Sequence, residues 1–205
     1  MNFSTAVDYL EGRLPLEAFI KEAIKDESIF DSLQSLVSKD AQRDIQTFEG
    51  DVLITKRVAY NVRNIILEYY NNPTLANRVN IFAEVRDLLL VKFPDIKVEE
   101  AILKKYRFIL ANTPPYIGGV EAEVVLEKIY DSLSLPPKAN LYRTIVKQKF
   151  VYLNKPPRWI QEPEWPIGKS DTPYIFVSEK KASNEKIYIF SNAASDETFV
   201  VRQAF

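Results

Sequence analysis

Apolar side chains recur at the three- and four-residue spacing of an α-helix through most of the first 150 residues. In residues 16–24 and 29–37 this spacing predicts two short helices. Pro15 suits the first turn of the earlier one, and Gly12 suits the end of a short helix that precedes it. The chain is therefore expected to open with compact helical structure.

Two longer apolar stripes follow in the sequence. The first predicts one helix over residues 52–70, which ends before Pro73 because proline cannot continue a helix. The second starts at Leu75 and ends before Pro94 for the same reason. These two segments are expected to form a helical hairpin.

Three further helices are expected between residues 98 and 150, separated by Pro114-Pro115, Gly118-Gly119 and Pro136-Pro137. The glycine pair lacks the Lys-Ser/Thr of a phosphate-binding loop, so a hinge or turn explains it better. The apolar faces of these helices are Val98, Ile102, Ile109 and Leu110; Ala122, Val125, Leu126, Ile129 and Leu133; and Leu141, Ile145, Val146 and Phe150.

The pattern changes after Lys155-Pro156-Pro157, where short β-branched and aromatic runs replace the helical stripes. The runs are Tyr174-Ile175-Phe176-Val177, Ile187-Tyr188-Ile189-Phe190 and Thr198-Phe199-Val200-Val201, with turns at Ser183-Asn184-Glu185 and Ala194-Ser195-Asp196. They predict a three-stranded antiparallel meander. The fold class is therefore α+β, with a helical body at residues 1–155 and a small β module at 156–205 that packs on the body as one unit.

Composition narrows the function, because the chain contains no cysteine and no histidine. Disulfides, thiolate nucleophiles and the commonest general base and zinc ligand are thereby excluded. We therefore expect a binding protein, not an enzyme, with no cofactor and no metal. The start lacks the features of a signal peptide and no apolar run is long enough for a membrane span, so a soluble, cytoplasmic protein is expected.

Charge is unevenly distributed, although the formal net charge is only −1. Residues 1–50 hold 5 basic and 10 acidic side chains, whereas residues 51–110 hold 10 and 7. Such asymmetry can steer a charged partner towards one part of the surface. Charges scattered over solvated helix faces would give the same pattern.

Glu123, Glu127 and Asp131 are four residues apart and predict an acidic ridge along one helix. The ridge is a candidate docking surface for a basic partner, or a solvated face that Lys128 partly balances. A Mg²⁺ site is the weakest interpretation, since no second acidic cluster is evident.

A basic cluster with aromatic residues is the nearest approach to a nucleic-acid signature. It comprises Lys104, Lys105, Tyr106, Arg107, Tyr142, Arg143, Lys147 and Lys149. No nucleic-acid-binding motif accompanies it and the isoelectric point is near 5.7. A nucleic-acid partner is therefore not expected.

Residues 156–167 combine four prolines with two tryptophans. Proline restricts the backbone, so Arg158, Trp159 and Trp165 are candidate interface anchors held in a loop of low conformational entropy. The alternative is that the two indoles fasten the β module to the helices.

Two segments resemble small bacterial proteins associated with polymorphic toxin systems. These are the opening, from Ala6-Val7-Asp8-Tyr9-Leu10 to Phe19 with Ser32-Leu33-Gln34-Ser35-Leu36-Val37, and residues 157–167 followed by Tyr174-Ile175-Phe176-Val177. The resemblance implies an immunity protein that neutralises a cognate toxin domain by occluding it. An enzyme that uses carboxylates around a metal, or a scaffold protein, remains the alternative.

Overall fold

The computed structural model describes residues 2–49, 52–192, 195 and 197–205 of the chain. The fold is α+β, with helices mostly towards the N-terminus and a three-stranded antiparallel sheet at the C-terminal end. The chain divides into two compact units, Met1–Leu103 and Lys104–Phe205. Residue 155, where the sequence separates helices from sheet, lies within the second unit.

The first unit contains five helices and one β-hairpin among its described residues. They are α1 (Ser4–Leu10), α2 (Leu16–Lys25), α3 (Ser28–Gln34), β1 (Gln42–Glu49), β2 (Val52–Ala59), α4 (Val62–Asn71) and α5 (Leu75–Lys92). The ring of Tyr9 stacks on Phe19 at 4.8 Å and meets Phe82 edge-on at 5.6 Å, between ring centroids. These contacts join three helices in one buried cluster of apolar side chains.

The prediction of one helix over residues 52–70 is wrong in its first half. Val52–Ala59 is a strand that pairs antiparallel with Gln42–Glu49, and α4 begins only at Val62. This segment contains the β-branched residues Ile54, Thr55 and Val58, which favour a strand. Their spacing also fits the helical pattern of apolar residues in α4, so the sequence predicted one continuous helix. The helix starts where the Asn61 side chain accepts a hydrogen bond from the backbone N–H of Asn64.

The second unit contains helices and the predicted meander. Its elements are α6 (Ala101–Asn112), which crosses the boundary, α7 (Val120–Asp131), α8 (Ala139–Lys149), β3 (Ile167–Gly168), β4 (Thr172–Pro173), β5 (Ile175–Lys181), β6 (Glu185–Ser191) and β7 (Thr198–Ala204). The sheet order β5-β6-β7 confirms the meander. In the turn expected at residues 194–196, Ala194 and Asp196 lie outside the described residues.

No helix among the described residues is long and apolar enough to cross a membrane. The longest, α5, has 18 residues and includes charged side chains at Arg78, Glu84, Arg86 and Asp87.

Trp165 ties the loop that follows α8 to the sheet. Its side chain is 2% exposed and meets the rings of Phe150 and Phe190 at 5.5 and 5.4 Å. Its indole N–H donates to the backbone oxygen of Tyr174 at 2.8 Å, so the buried polar atom is satisfied.

Truncation of this indole should therefore be costly. We expect Trp165→Ala to lower the free energy of unfolding by about 3–5 kcal/mol, because it leaves a cavity and an unpaired carbonyl. Trp159→Ala is the matched variant and should cost less, since Trp159 is only half-buried. Chemical denaturation of both variants measures the difference, and an unchanged stability for Trp165→Ala would contradict the structural role.

Candidate functional site

The predicted acidic ridge lies on α7, where one lysine partly neutralises it. Lys105 Nζ lies 3.2 Å from Glu127 Oε2 and 2.8 Å from Asp131 Oδ2. Burial lowers the pKa of the Lys105 ammonium, but the hydrogen bonds and charges of these carboxylates outweigh burial and leave it above its ordinary value. Lys128, which the sequence offers as the balancing charge, bonds instead to Asp171.

Two members of the predicted basic cluster on α6 and α8 are not available to bind nucleic acid. Lys105 is engaged by the ridge, and Tyr142 is fully buried against Phe108, with ring centroids 5.5 Å apart. Burial raises the pKa of Tyr142 to about 12. Tyr142 therefore has no face available for a nucleic-acid base, whereas Arg143 and Lys147 are exposed.

The loop with the two tryptophans is fixed to the sheet at several points. The Trp159 indole N–H donates to the Tyr116 oxygen at 2.9 Å, and its ring lies 4.4 Å from that of Tyr188. The backbone oxygen of Arg158 accepts hydrogen bonds from Tyr188 Oη at 3.0 Å and from Lys186 Nζ. Of the three predicted anchors in this loop, Arg158 alone is exposed.

Gln203 on β7 completes this attachment. Its side-chain oxygen accepts from the backbone N–H groups of Ile160 and Gln161, both at 3.1 Å, and its amide donates to the Glu162 oxygen at 2.8 Å. The sequence interpretation missed Gln203. The available signal was its position two residues after Val201, which places it on the same face of the strand.

The glycine pair before α7 makes room for the same loop. A Cβ on Gly118 would lie 3.0 Å from the Cβ of Pro163, and Gly119 has φ +98°. The Trp165 N–H donates to the Gly118 oxygen at 2.9 Å. The predicted turn at the pair is therefore also a site of close backbone approach, which only glycine allows.

The β1–β2 hairpin, called the ribbon below, is a surface that the sequence interpretation missed. None of its described side chains is buried. Alternate positions are half-buried, including Ile45, Ile54 and Val58, while Leu53 on the other face is 50% exposed. The ribbon therefore carries apolar side chains that the first unit does not fully cover.

A cleft of about 660 Å³ lies beside the ribbon, and we call it the ribbon cleft. It is lined by Arg43, Asp44, Ile45, Gln46, Tyr60, Ile65, Glu68, Tyr69 and Glu84. Three carboxylates and one guanidinium give this lining an excess of two negative charges at neutral pH. Arg43 is paired with Glu68 and Asp44 with Arg57.

Glu84 differs from the other two acids of the ribbon cleft. Its half-buried carboxylate has no hydrogen bond or ion pair in the part of the chain that the structure describes. Burial, with a smaller contribution from Asp87, raises the pKa of Glu84, and Arg43 only partly opposes the rise. This carboxylate is suited to receive a cation from outside the first unit, and Tyr60 and Tyr69 also line the cleft.

Metal binding has little support at these surfaces. Among the described residues, no three Asp or Glu side chains are grouped so that they could hold a metal ion. Lys105 lies between Glu127 and Asp131, and Arg43 is paired with Glu68, so a cation already balances these carboxylates.

The unpaired carboxylate should cost stability at neutral pH. Because folding raises the pKa of Glu84, its charged form disfavours the folded state, and this effect disappears once the group is protonated in both states. Glu84→Gln should therefore raise the melting temperature at pH 7. The gain over the wild-type chain should shrink as pH falls through the raised pKa and vanish below 4.5, the ordinary pKa of a glutamate side chain.

Thermal melts of both proteins from pH 3 to 8 test this expectation. Glu22→Gln is the matched control, because Glu22 is an exposed acid of the same unit on α2. A melting-temperature gain of equal size at every pH would show that the effect of Glu84→Gln is not electrostatic.

Comparison with protein-family models, with curated proteins and with solved structures gives no match to this chain. The resemblance to immunity proteins thus stays a prediction from the quoted segments.

Proposed function

We propose that this protein is an immunity-type protein that binds a cognate toxin domain in the cytoplasm and neutralises it by covering its active surface. The observation that carries the proposal is the ribbon with the acid-lined cleft beside it. Three of its features support the proposal: the exposure of the ribbon, the charge of the cleft, and the carboxylate of Glu84, which has no ion pair among the described residues.

Folding of the ribbon contributes little stability to the first unit when no partner is bound. A two-stranded hairpin is marginally stable in water, and ordering its backbone costs roughly 1–2 kcal/mol per residue. The side chains of Ile45, Ile54 and Val58 are only half-buried, so they recover little of this cost. A protein surface that packs on the ribbon would bury them and pair a strand edge.

Charge indicates the kind of surface that fits. The first unit contains 12 basic and 17 acidic residues, and the ribbon cleft repeats this excess locally. Toxin domains that attack nucleic acid present basic clefts, and an acidic inhibitor gains fast association and specificity against them. A lysine or arginine of the toxin would pair with Glu84 and relieve the destabilising burial of its charge.

The ridge of Glu123, Glu127 and Asp131 is the competing surface. It offers less free charge, because Lys105 contacts two of its three carboxylates. The third candidate interface is the loop with Arg158, Trp159 and Trp165. It is a weaker candidate than the ribbon cleft, because both indoles pack against aromatic rings of the second unit itself. The ribbon cleft is therefore the preferred interface.

The function is tested by searching the neighbouring genes for a toxin domain and pairing that domain with this chain. Co-expression of the chain should protect bacteria from that domain, and the two purified proteins should form a stable complex. Toxicity that persists while the chain is folded and in excess would contradict the proposal.

The interface is tested by a pair of charge reversals in the first unit. Glu84→Lys should slow association with the toxin at least about tenfold at low salt, whereas Glu22→Lys makes the same change in net charge and should have a small effect. Stopped-flow association across salt concentrations measures both. A larger loss from the combined Glu123→Gln, Glu127→Gln and Asp131→Asn variant than from Glu84→Lys would move the interface to the ridge.

A further inference from the structure

The outer edge of β7 presents backbone hydrogen-bonding groups that have no partner among the described residues of the second unit. Asn192 N–H donates to the Glu197 oxygen at 2.9 Å, and Phe205 N–H donates to the Asn184 oxygen at 3.1 Å. Residues 197 and 205 are therefore positions that bond to the neighbouring strand. Along an antiparallel strand, such positions alternate with positions whose backbone groups point to the other side, so residues 199, 201 and 203 also bond to β6. The N–H and C=O groups of Thr198, Val200 and Arg202 therefore point away from the sheet.

The opposite edge of the same sheet is closed. The Phe176 N–H on β5 donates to the Val151 oxygen at 2.9 Å, and the Phe176 oxygen accepts from Leu153 N–H at 3.0 Å. On the outer edge of β7, the Ala204 oxygen accepts a hydrogen bond from the Gln161 side chain at 3.0 Å. No backbone partner for Thr198, Val200 or Arg202 outside β6 occurs within residues 104–192, 195 and 197–205. Native proteins usually block such edges, so an open one marks a place for another strand.

A groove of about 360 Å³ lies beside this open edge, and we call it the β7 groove. It is lined by Gly119, Val120, Glu121, Glu164, Trp165, Pro166, Phe199 and Val201. Val120 and Phe199 are 42% and 44% exposed, which leaves apolar surface open to water. The exposed carboxylates of Glu121 and Glu164 have no ion pair among the residues that the structure describes.

We propose that the open β7 edge and the β7 groove bind an extended segment of the protein partner as a fourth strand. The inference rests on the proposed function only in taking the partner to be a protein. Residues 198–202 supply the main-chain hydrogen bonds. Successive side chains of an added strand alternate between faces, so every second one enters the groove. Apolar groups there contact Phe199 and Val120, and lysine or arginine meets Glu121 and Glu164.

Val200→Pro is the decisive variant, because it removes an outward N–H and leaves the hydrogen bonds to β6 intact. Proline is tolerated on an edge strand when its nitrogen faces solvent. Val200→Thr is the matched control, which keeps the N–H and the β-branched shape. The melting temperatures of both variants should lie close to that of the wild-type chain, and this confirms that each variant folds.

The probe is a synthetic eight-residue peptide, Val-Thr-Lys-Thr repeated twice, so that one face of the extended peptide carries valine and lysine in turn. A copy of it is N-methylated at every second backbone amide. Fluorescence titration with the purified full chain should show binding of the unmethylated peptide to wild type and Val200→Thr. Val200→Pro and methylation of the peptide should each weaken binding at least tenfold. The double variant that combines Glu121→Gln with Glu164→Gln should weaken binding severalfold. On binding, the amides of Val200 and Arg202 should become protected from hydrogen exchange.

Equal affinity of Val200→Pro and the wild-type chain for the peptide, or no binding up to about 1 mM, would overturn the proposal. A dimer of the free chain that Val200→Pro dissociates would also overturn it, since a second copy then occupies the edge. These outcomes are independent of toxin neutralisation. If the chain fails to protect bacteria from the toxin but still binds the peptide, only the immunity function is contradicted. If the chain protects bacteria but does not bind the peptide, only this binding site is contradicted.

Discussion

A strand at the edge of a sheet leaves alternate N–H and C=O groups without a protein partner, and this constraint shapes both units. The ribbon has two such edges because it contains only β1 and β2. The three-stranded sheet has one closed edge at β5, where residues 151–153 bond to Phe176, and one open edge at β7. Both proposed contacts with a partner therefore begin from backbone groups that have no partner in the described part of the chain.

The loop that carries the two tryptophans determines how much of β7 stays open. Gln203 and the backbone of residues 160–162 hold the loop over the C-terminal part of the strand. Trp165 then turns the chain towards the glycine pair before α7, which creates one wall of the β7 groove. The aromatic loop is thus structural in its indoles, and it also shapes the groove that would receive a partner.

Strong local signals made part of this fold predictable. The meander was predicted correctly because β-branched and aromatic runs alternate with short polar turns. About half of the helix ends were also marked, because a proline or glycine lies within two residues of them. The ribbon was missed because Val58 and Val62 continue a helical stripe across the boundary at Asn61. The ribbon cleft depends on that hairpin, so it could not be predicted either. The pairing of Lys105 with Glu127 and Asp131 depends on how α6 packs on α7, which spacing within one helix cannot reveal.

Local charge matters more than net charge for the two proposed contacts. The second unit has 15 basic and 11 acidic residues, opposite in sign to the first. Its excess cations include Arg143, Lys147 and Lys149, which are exposed on α8. The β7 groove nevertheless carries only Glu121 and Glu164 as charged lining, and the ribbon cleft is also acidic. Since salt screens exposed charges beyond about 8 Å at physiological ionic strength, a segment in either site meets mainly carboxylates. Both proposed sites would therefore favour a cationic partner, although the units that carry them differ in the sign of their net charge.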